Sequence, residues 1–173
     1  MMNYTIKALS YLDESAVQAL SAILIDAVTH GASVGFIEPM TTEKALQYWQ
    51  HAAASFARQE RLIWVAVDTQ NKIIGTVTVV VNLPENQAHR GDLIKLLVHS
   101  GARQQGIGQA LMKAAEQGAY EAGKTLLVLD TAGEEASRLY QRLQWRKAGM
   151  IPDYAMFPDH SLGATHYYYK ILA

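Results

Sequence analysis

The chain lacks cysteine in all of its 173 residues, which excludes disulfides, cysteine-ligated metals and an acyl intermediate on an enzyme thiol. An excess of one charge is also missing, because 15 Lys and Arg face 16 Asp and Glu for a net charge of −1. That balance favours neither a nucleic-acid partner nor a charged membrane surface. The longest apolar run, residues 62–67, is far shorter than the roughly 20 residues that cross a bilayer.

Targeting and metal-binding signals are equally scarce. The first residues contain neither a basic cluster nor an apolar stretch, so we expect no signal peptide and a cytoplasmic protein. The six histidines show no H-E-x-x-H or comparable spacing, and we therefore assign no metal site. Half of the residues are apolar and 18% are charged, which suffices for one domain spanning residues 1–173.

Hydrophobic periodicity predicts an α/β fold with an antiparallel first half and a parallel second half. The first half reads as a strand at 4–8, a helix at 14–29 with Asp13 as N-cap, a helix capped by Thr42, and a hairpin of strands at 61–68 and 73–81. The second half reads as a strand at 93–98, a helix from Ile107, a strand at 126–129, a helix near 134–143, and strands near 146–150 and 166–172. Strand, helix and strand within about 40 residues form a βαβ unit, whose two strands run parallel.

The turn before the third helix reads Arg103-Gln104-Gln105-Gly106-Ile107-Gly108. Two glycines allow a tight turn and close approach of a ligand to the backbone. Free N–H groups at a helix start attract anions, and a pyrophosphate is the natural occupant. Glycines that merely reverse the chain are the alternative. The spacing matches neither a Walker A loop nor a Rossmann fingerprint, since position 111 is Leu.

Two motifs together resemble the GCN5-related N-acetyltransferase (GNAT) family. Leu96-Leu97-Val98, a four-residue turn and Arg103-x-x-Gly106-x-Gly108 are similar to its coenzyme-A-binding motif. Leu139-Tyr140 with Leu143-Gln144-Trp145 resembles a late family segment, although Gln144 replaces a glycine and Trp145 a phenylalanine. The resemblance runs from about Tyr4 to Leu172. It implies a mixed central sheet with two splayed parallel strands and helices on both faces.

The resemblance implies acetyl-CoA as co-substrate and a direct transfer of its acetyl group to an amine. The residues that it assigns to coenzyme A are Leu96, Leu97, Val98, Arg103, Gln104, Gln105, Gly106, Ile107, Gly108, Gln109 and Gly133. Gln104 and Gln105 stand where the family frequently has Arg or Lys. We therefore expect affinity to depend more on backbone N–H groups than on cations, with a weak dependence on salt.

Three side chains are candidates for catalysis. Asp92 matches the position of a catalytic glutamate in the family's histone acetyltransferases, but it could instead pair with Arg90 or Lys95. Asp130 ends a parallel strand, where ligands bind in open α/β sheets, and could bind the ammonium, act as base or cap a turn. Tyr140 matches the family's general acid, and the alternative for it is a core tyrosine.

The loop after the first helix is the candidate acceptor site. Residues 30–36, together with Leu129-Asp130-Thr131, resemble family members that acetylate an amino-acid toxin. Ser33, Val34, Gly35 and Phe36 would then shape the pocket, although the glycines could serve only the turn. We predict an N-acetyltransferase for a small amine of the toxin or antibiotic type, without nucleic-acid or membrane partners, and with a homodimer through the tyrosine-rich last strand as an option. Protein N-terminal or lysine acetylation and a non-catalytic acyl-CoA sensor are the alternatives.

Overall fold

A computed structural model describes residues 3–173 and contains one seven-stranded sheet with four α-helices. The strands are β1 (Tyr4–Ala8), β2 (Arg61–Asp68), β3 (Ile73–Val80), β4 (Arg90–Val98), β5 (Leu126–Thr131), β6 (Arg146–Met156) and β7 (Leu162–Ile171). The helices are α1 (Glu14–Thr29), α2 (Thr42–Ala57), α3 (Ile107–Glu121) and α4 (Glu134–Arg142). The strand order is β1-β2-β3-β4-β5-β7-β6, and β4 and β5 are its parallel pair.

Helices cover both faces of the sheet, and β2 shows how the sequence requires this. Its central residues are all buried. Since successive side chains of a strand point to opposite faces, both faces must be covered. Ile63 and Val65 pack with the apolar sides of α1 and α2. Trp64 and Ala66 pack with α3 and the region around α4. The predicted α/β fold, with a mixed sheet between two helical layers, is confirmed.

The two parallel strands separate soon after they meet. β4 pairs with β5 only through Arg90, Gly91 and Asp92, which lie opposite residues 126–128. Beyond Asp92 the strands diverge, so residues 93–98 have a partner strand only on the β3 side. The expected splay is therefore present, and it leaves a gap between the carboxyl ends of the two strands.

A β-bulge in β4 accompanies this divergence. Thr78 of β3 faces Ile94, and Thr76 faces Leu97. Two residues of β4, Lys95 and Leu96, thus oppose one residue of β3, and Lys95 takes a φ of 53°. A bulge of this kind bends the strand and redirects side chains. Its consequence here is that Lys95 faces the gap.

Several predicted boundaries need correction. The N-cap Asp13 is confirmed, since its side chain accepts a hydrogen bond from the Ala16 N–H at 2.8 Å. The cap of α2 is Thr41 rather than Thr42. β6 continues six residues past Met150. The sequence does not reveal this extension, because every residue of the strand is exposed. Without a buried side it shows no alternation of polar and apolar residues, and Pro152 in its middle argues against a strand.

Close packing between α3 and β2 makes Gly118 a sensitive position. A Cβ at Gly118 would lie 2.2 Å from Cζ2 of Trp64, whose side chain is buried. We expect Gly118→Ala to lower the free energy of unfolding by about 1–3 kcal/mol, the usual cost of overfilling a core. Urea denaturation measures the loss. Gly149→Ala is the matched control, since a Cβ there meets nothing within 4 Å, and an equal loss in both variants would contradict the packing argument.

Within residues 3–173, no helix combines the length and apolar character needed to cross a membrane.

Candidate active site

A cavity of about 700 Å³ occupies the gap between β4 and β5. Its wall also includes the loop after α1, the first turns of α3 and α4, and part of the β6–β7 hairpin. The predicted site residues in this wall are Ser33, Val34, Gly35, Leu96, Leu97, Val98, Arg103, Gln104, Gly106, Ile107, Gly108, Gln109, Asp130, Gly133 and Tyr140. Asp92, Gln105 and Phe36 do not line it.

The start of α3 offers a row of free backbone donors. Gly106 is the N-cap with a φ of 79°, and no side chain caps the helix. The first N–H of the helix to find an acceptor is that of Ala110, which donates to the Gly106 carbonyl at 3.0 Å. Among residues 3–173, no group accepts a hydrogen bond from the N–H groups of residues 104–109. With the positive end of the helix dipole, these donors can attract an anion, and we call them the anion site.

Few cations supplement these donors. Arg103 lies in the cavity wall, and its Nε donates to the Val98 carbonyl at 3.4 Å. Arg142 at the end of α4 lines the cavity as well, and the sequence analysis did not single it out. Gln105 carries its side chain outside the wall. The anion site therefore depends mainly on main-chain donors, with the guanidinium of the adjacent Arg103 beside them.

The loop between β4 and α3 is fastened to α1 by Asp26. Its carboxylate accepts hydrogen bonds from the Ser100 N–H at 2.7 Å and the Ser100 hydroxyl at 2.6 Å. Burial alone would raise the pKa of Asp26, but the two bonds from Ser100 and the nearby His99 and His30 outweigh it and lower the pKa. These contacts hold the anion site at a fixed place beside the α1 loop.

Tyr140 on α4 is another residue of the cavity wall. Its side chain is 5% exposed and packs against the rings of Trp145 and Tyr168 at 6.1 and 5.8 Å. Burial, together with the negative charge of Asp130, raises the pKa of Tyr140 above its ordinary value. The hydroxyl is therefore protonated at neutral pH, and residues 3–173 supply it with no hydrogen-bond partner.

The two aspartates have different surroundings. Asp130 lines the cavity, and its Oδ2 accepts a hydrogen bond from the Thr165 hydroxyl at 2.8 Å. Asp92 instead forms an ion pair with Arg90, which also donates to the side chain of Gln87. The pairing with Arg90 that the sequence left open for Asp92 is present in the structure.

A pair of tyrosine hydroxyls lies near Asp130. Tyr167 sits opposite Asp130 in the β5–β7 ladder, and its hydroxyl is 3.0 Å from that of Tyr154, which lines the cavity. The Tyr154 hydrogen bond, then burial and the charges of Asp130 and Asp92 raise the pKa of Tyr167 to about 12. The sequence analysis missed Tyr154 and Thr165, because it placed the end of β6 near residue 150 and the start of β7 near residue 166.

The acceptor loop is shaped by two glycines in the left-handed region. Gly31 and Gly35 have φ values of 84° and 91°, which residues with a side chain rarely adopt. Between them, Ser33 and Val34 line the cavity. Phe36 turns away and packs edge-on against Tyr48, with 5.8 Å between the ring centroids. Phe36 thus anchors the loop to Tyr48 of α2 and does not form part of the cavity wall.

Lys95 is a cavity residue that the sequence analysis did not assign to the site. Its Nζ lies 5.0 Å from the centroid of the Tyr48 ring. A charged residue inside the otherwise apolar segment 93–98 was the available signal. The alternation rule for strands could not show its direction, because the bulge shifts the pattern at this residue.

No group of three or more His, Asp or Glu side chains among residues 3–173 gathers closely enough to hold a metal ion.

Known proteins share both the sequence pattern and the architecture. The model of the acetyltransferase (GNAT) family matches residues 23–145. Human N-acetyltransferase 8B is 32% identical over 111 residues, which are 62% of this chain and 48% of that protein. The chain thus spans about half the length of this curated relative.

Solved structures agree in fold. The N-acetyltransferase from Staphylococcus aureus Mu50 superposes with a TM-score of 0.81 at 19% identity, covering 99% of both chains. An acetyltransferase structure from Salmonella typhimurium, solved with its cofactor acetyl-CoA, has a TM-score of 0.78 at 17% identity and covers 99% of this chain and 95% of the other.

Proposed function

Because the chain belongs to the acetyltransferase (GNAT) family, we propose that it is an acetyl-CoA-dependent N-acetyltransferase that acetylates a small amine. The observation that carries this proposal is the continuous cavity between β4 and β5. It joins the free N–H groups at the start of α3 to the Tyr140 hydroxyl and the Asp130 carboxylate. An anion site, a proton donor and a carboxylate therefore share one cavity, as acyl transfer to an amine requires.

The residues of the cavity fit acetyl-CoA, the co-substrate that the family uses. The free N–H groups at the start of α3, with Arg103 beside them, suit a diphosphate. The β5-facing edge of residues 93–98 has no neighbouring strand, so its backbone groups can bind an extended amide-containing arm as an added strand. Acetyl-CoA supplies an acetyl group that is activated as a thioester. With no cysteine in the chain, we propose direct transfer to the amine.

Tyr140 acts as the proton donor in this proposal. Its hydroxyl is protonated and free to donate, and the side chain that carries it is buried. A raised phenol pKa, set against about 8.5 for a free thiol, makes complete proton transfer to sulfur unfavourable at an early stage. The hydroxyl therefore stabilises the developing negative charge through a hydrogen bond and gives up its proton late.

Asp130 receives the amine of the acceptor. Its Oδ2 is oriented by the Thr165 hydroxyl, so the remaining lone pairs can face the cavity. The carboxylate attracts an ammonium and can accept its proton before attack. Asp92 is neutralised by Arg90 and lies outside the wall, which favours Asp130 as base. A base role for Asp92 remains a prediction.

The acceptor is proposed to be small because the loop of residues 31–35 and Asp130 line one cavity of about 700 Å³, which acetyl-CoA would also occupy. Ser33 is the polar side chain of this loop that can hydrogen-bond an acceptor. The likeness of this loop to the tabtoxin resistance protein supports an amino-acid-like toxin or antibiotic as acceptor, and remains part of the proposal.

A homodimer, a cytoplasmic location and a single domain over residues 1–173 also remain predictions. Exposed Met150, Tyr154 and Leu162 on β6 and β7 are apolar surface that a second copy could cover.

Release of free thiol from acetyl-CoA, measured with a panel of small amines and peptides, tests the function. We expect turnover with small amines. Turnover only with peptides would indicate protein acetylation instead. Binding of acetyl-CoA by calorimetry without turnover of any amine would indicate a sensor, and absence of both binding and turnover would overturn the proposal entirely.

Salt dependence tests the composition of the anion site. Because Gln104 and Gln105 replace cations, we expect the Kd of acetyl-CoA to rise only modestly between low and high KCl. Gln104→Lys, at a residue of the cavity wall, should tighten binding at low salt and steepen the salt dependence, whereas Lys113→Gln on the exposed side of α3 should change neither. Calorimetric titrations at several KCl concentrations measure these slopes. A steep slope for the wild type would contradict a site built mainly from backbone donors.

A further inference from the structure

Lys95 is a partly buried charged residue of the cavity wall whose ammonium has no partner among residues 3–173. Among residues 3–173, no carboxylate lies within the 4.0 Å of an ion pair with its Nζ, and no acceptor receives a hydrogen bond from it. The neighbours of the ammonium are the Tyr48 ring at 5.0 Å and the backbone of Gly35, where a Cβ would lie 3.8 Å from Nζ. The side chain is half-buried and faces the cavity.

The surroundings of Lys95 disfavour its positive charge. Burial is the largest influence that lowers the pKa of Lys95, and the nearby Arg61 adds to it, while Asp130 partly offsets both. A buried charge that lacks a counter-ion is costly. A bound anion beside Nζ would relieve that cost, whereas a neutral or cationic group would not.

The bulge in β4 gives the ammonium its direction. Lys95 takes a φ of 53°, in a left-handed conformation that is unfavourable for a residue with a side chain. The strand thus carries a strained residue whose side chain turns toward the acceptor loop. Asp130, on β5, lies in the wall of the same cavity. The two diverging strands therefore contribute one positive and one negative group.

We propose that Lys95 binds a carboxylate of the acceptor, so that the acceptor is a small zwitterionic amine of the amino-acid class. The proposal rests on the proposed function, because it assigns the acceptor amine to Asp130. Lys95 sets specificity: it contacts the acceptor at a distance from the reacting nitrogen. The Tyr48 ring attracts the Lys95 ammonium through a cation–π interaction. Gly35 has no side chain and therefore leaves space beside Nζ.

The first experiment compares matched acceptors. Each amino acid of a panel is assayed beside its carboxamide and its decarboxylated amine, for example methionine, methioninamide and 3-(methylthio)propylamine. Loss of one partner of a desolvated charge pair typically lowers affinity by about 30-fold or more. We therefore expect kcat/KM for the best amino acid to exceed that of its carboxamide by this factor. Equal use of acids and amides by the wild type would overturn the proposal.

Substitution of Lys95 tests whether the preference for the amino acid over its carboxamide depends on the positive charge of this residue. Lys95→Met retains length and packing without charge, and Lys95→Gln is a second neutral variant should the first fold poorly. We expect both to remove the preference for the acid while the Kd of acetyl-CoA is unchanged. Lys113→Met, on the exposed side of α3, is the matched control. A preference that survives in both Lys95 variants contradicts the proposal, as does acetylation of Lys95 itself during turnover, seen as the mass of one acetyl group on its peptide.

A binding measurement separates this proposal from the proposed function. N-acetyl amino acids and their carboxamides are titrated into the enzyme with coenzyme A, so that no turnover is needed. Tighter binding of the acids that disappears in Lys95→Met supports the carboxylate site even if no amine is acetylated, in which case the proposed function fails alone. Acetylation of amines without any preference for the acid, in turnover or in binding, leaves the function intact and overturns the role of Lys95.

Discussion

Replacing Tyr140 by Phe is expected to lower kcat at least tenfold, toward the 10²–10³-fold that loss of one donor to a developing charge typically costs. The substitution removes only the hydroxyl, and the ring still packs against Trp145 and Tyr168. The thiolate that forms as the carbon–sulfur bond breaks would then have no protein donor at this position. Because the hydroxyl acts late, we expect the KM of the acceptor and the Kd of acetyl-CoA to change little.

Tyr168→Phe is the matched control for this prediction. Tyr168 is a buried tyrosine in the same aromatic cluster but lies outside the cavity wall. Its hydroxyl only accepts a long hydrogen bond from Gln141 at 3.4 Å. Steady-state assays with saturating acetyl-CoA give kcat for each variant. Equal rates for the wild type and Tyr140→Phe would remove Tyr140 from the mechanism, and equal losses in both variants would point to packing instead.

Asp130→Asn is expected to lower kcat/KM by about 10²-fold or more, the usual size of a general-base contribution. The amide oxygen of Asn can still accept the hydrogen bond from Thr165, so the local structure should persist. What disappears is the negative charge that attracts the ammonium and the group that accepts its proton. Initial rates over a range of acceptor concentrations divide the loss between KM and kcat, and so between binding and proton transfer.

Two further aspartates make the test of Asp130 specific. Asp159→Asn, in the exposed β6–β7 turn, should leave both constants unchanged, since an amide oxygen can also accept the hydrogen bonds from Ser161. Asp92→Asn should have a smaller effect than Asp130→Asn. A larger loss for Asp92→Asn would transfer the base role to Asp92. Wild-type kinetics for Asp130→Asn would make this residue structural.

The sequence predicts the centre of the site because its signals there are local. A short apolar strand, two glycines and an amphipathic helix predict the turn at residues 103–108, and the distant Asp26 then fixes the place of this loop through Ser100. The anion site at the start of α3 follows directly from that order, since the first N–H groups of any helix lack internal acceptors. The same reasoning places Asp130 at the carboxyl end of its strand and therefore at the gap.

Features that depend on strand pairing escape the sequence. The direction of Lys95 follows from a bulge against β3, and nothing within residues 93–98 distinguishes a bulged strand from a regular one. The extent of β6 and β7 follows from their pairing with each other, because β6 has no buried face to impose a pattern. Phe36 is directed away from the cavity by its contact with Tyr48, a residue of another helix.

The short ladder between β4 and β5 has a consequence for the stability of the protein. Three residue pairs join the four-stranded part of the sheet to the three-stranded part, and beyond them the backbone edge of residues 93–98 lies beside the cavity without a neighbouring strand. Any molecule that lies along this edge supplies contacts to both parts at once. Occupancy of the cavity and conformational stability are consequently linked by mass action, so the resistance of the chain to unfolding rises with ligand concentration. The rate of proteolysis would therefore report the fraction of molecules whose cavity is occupied.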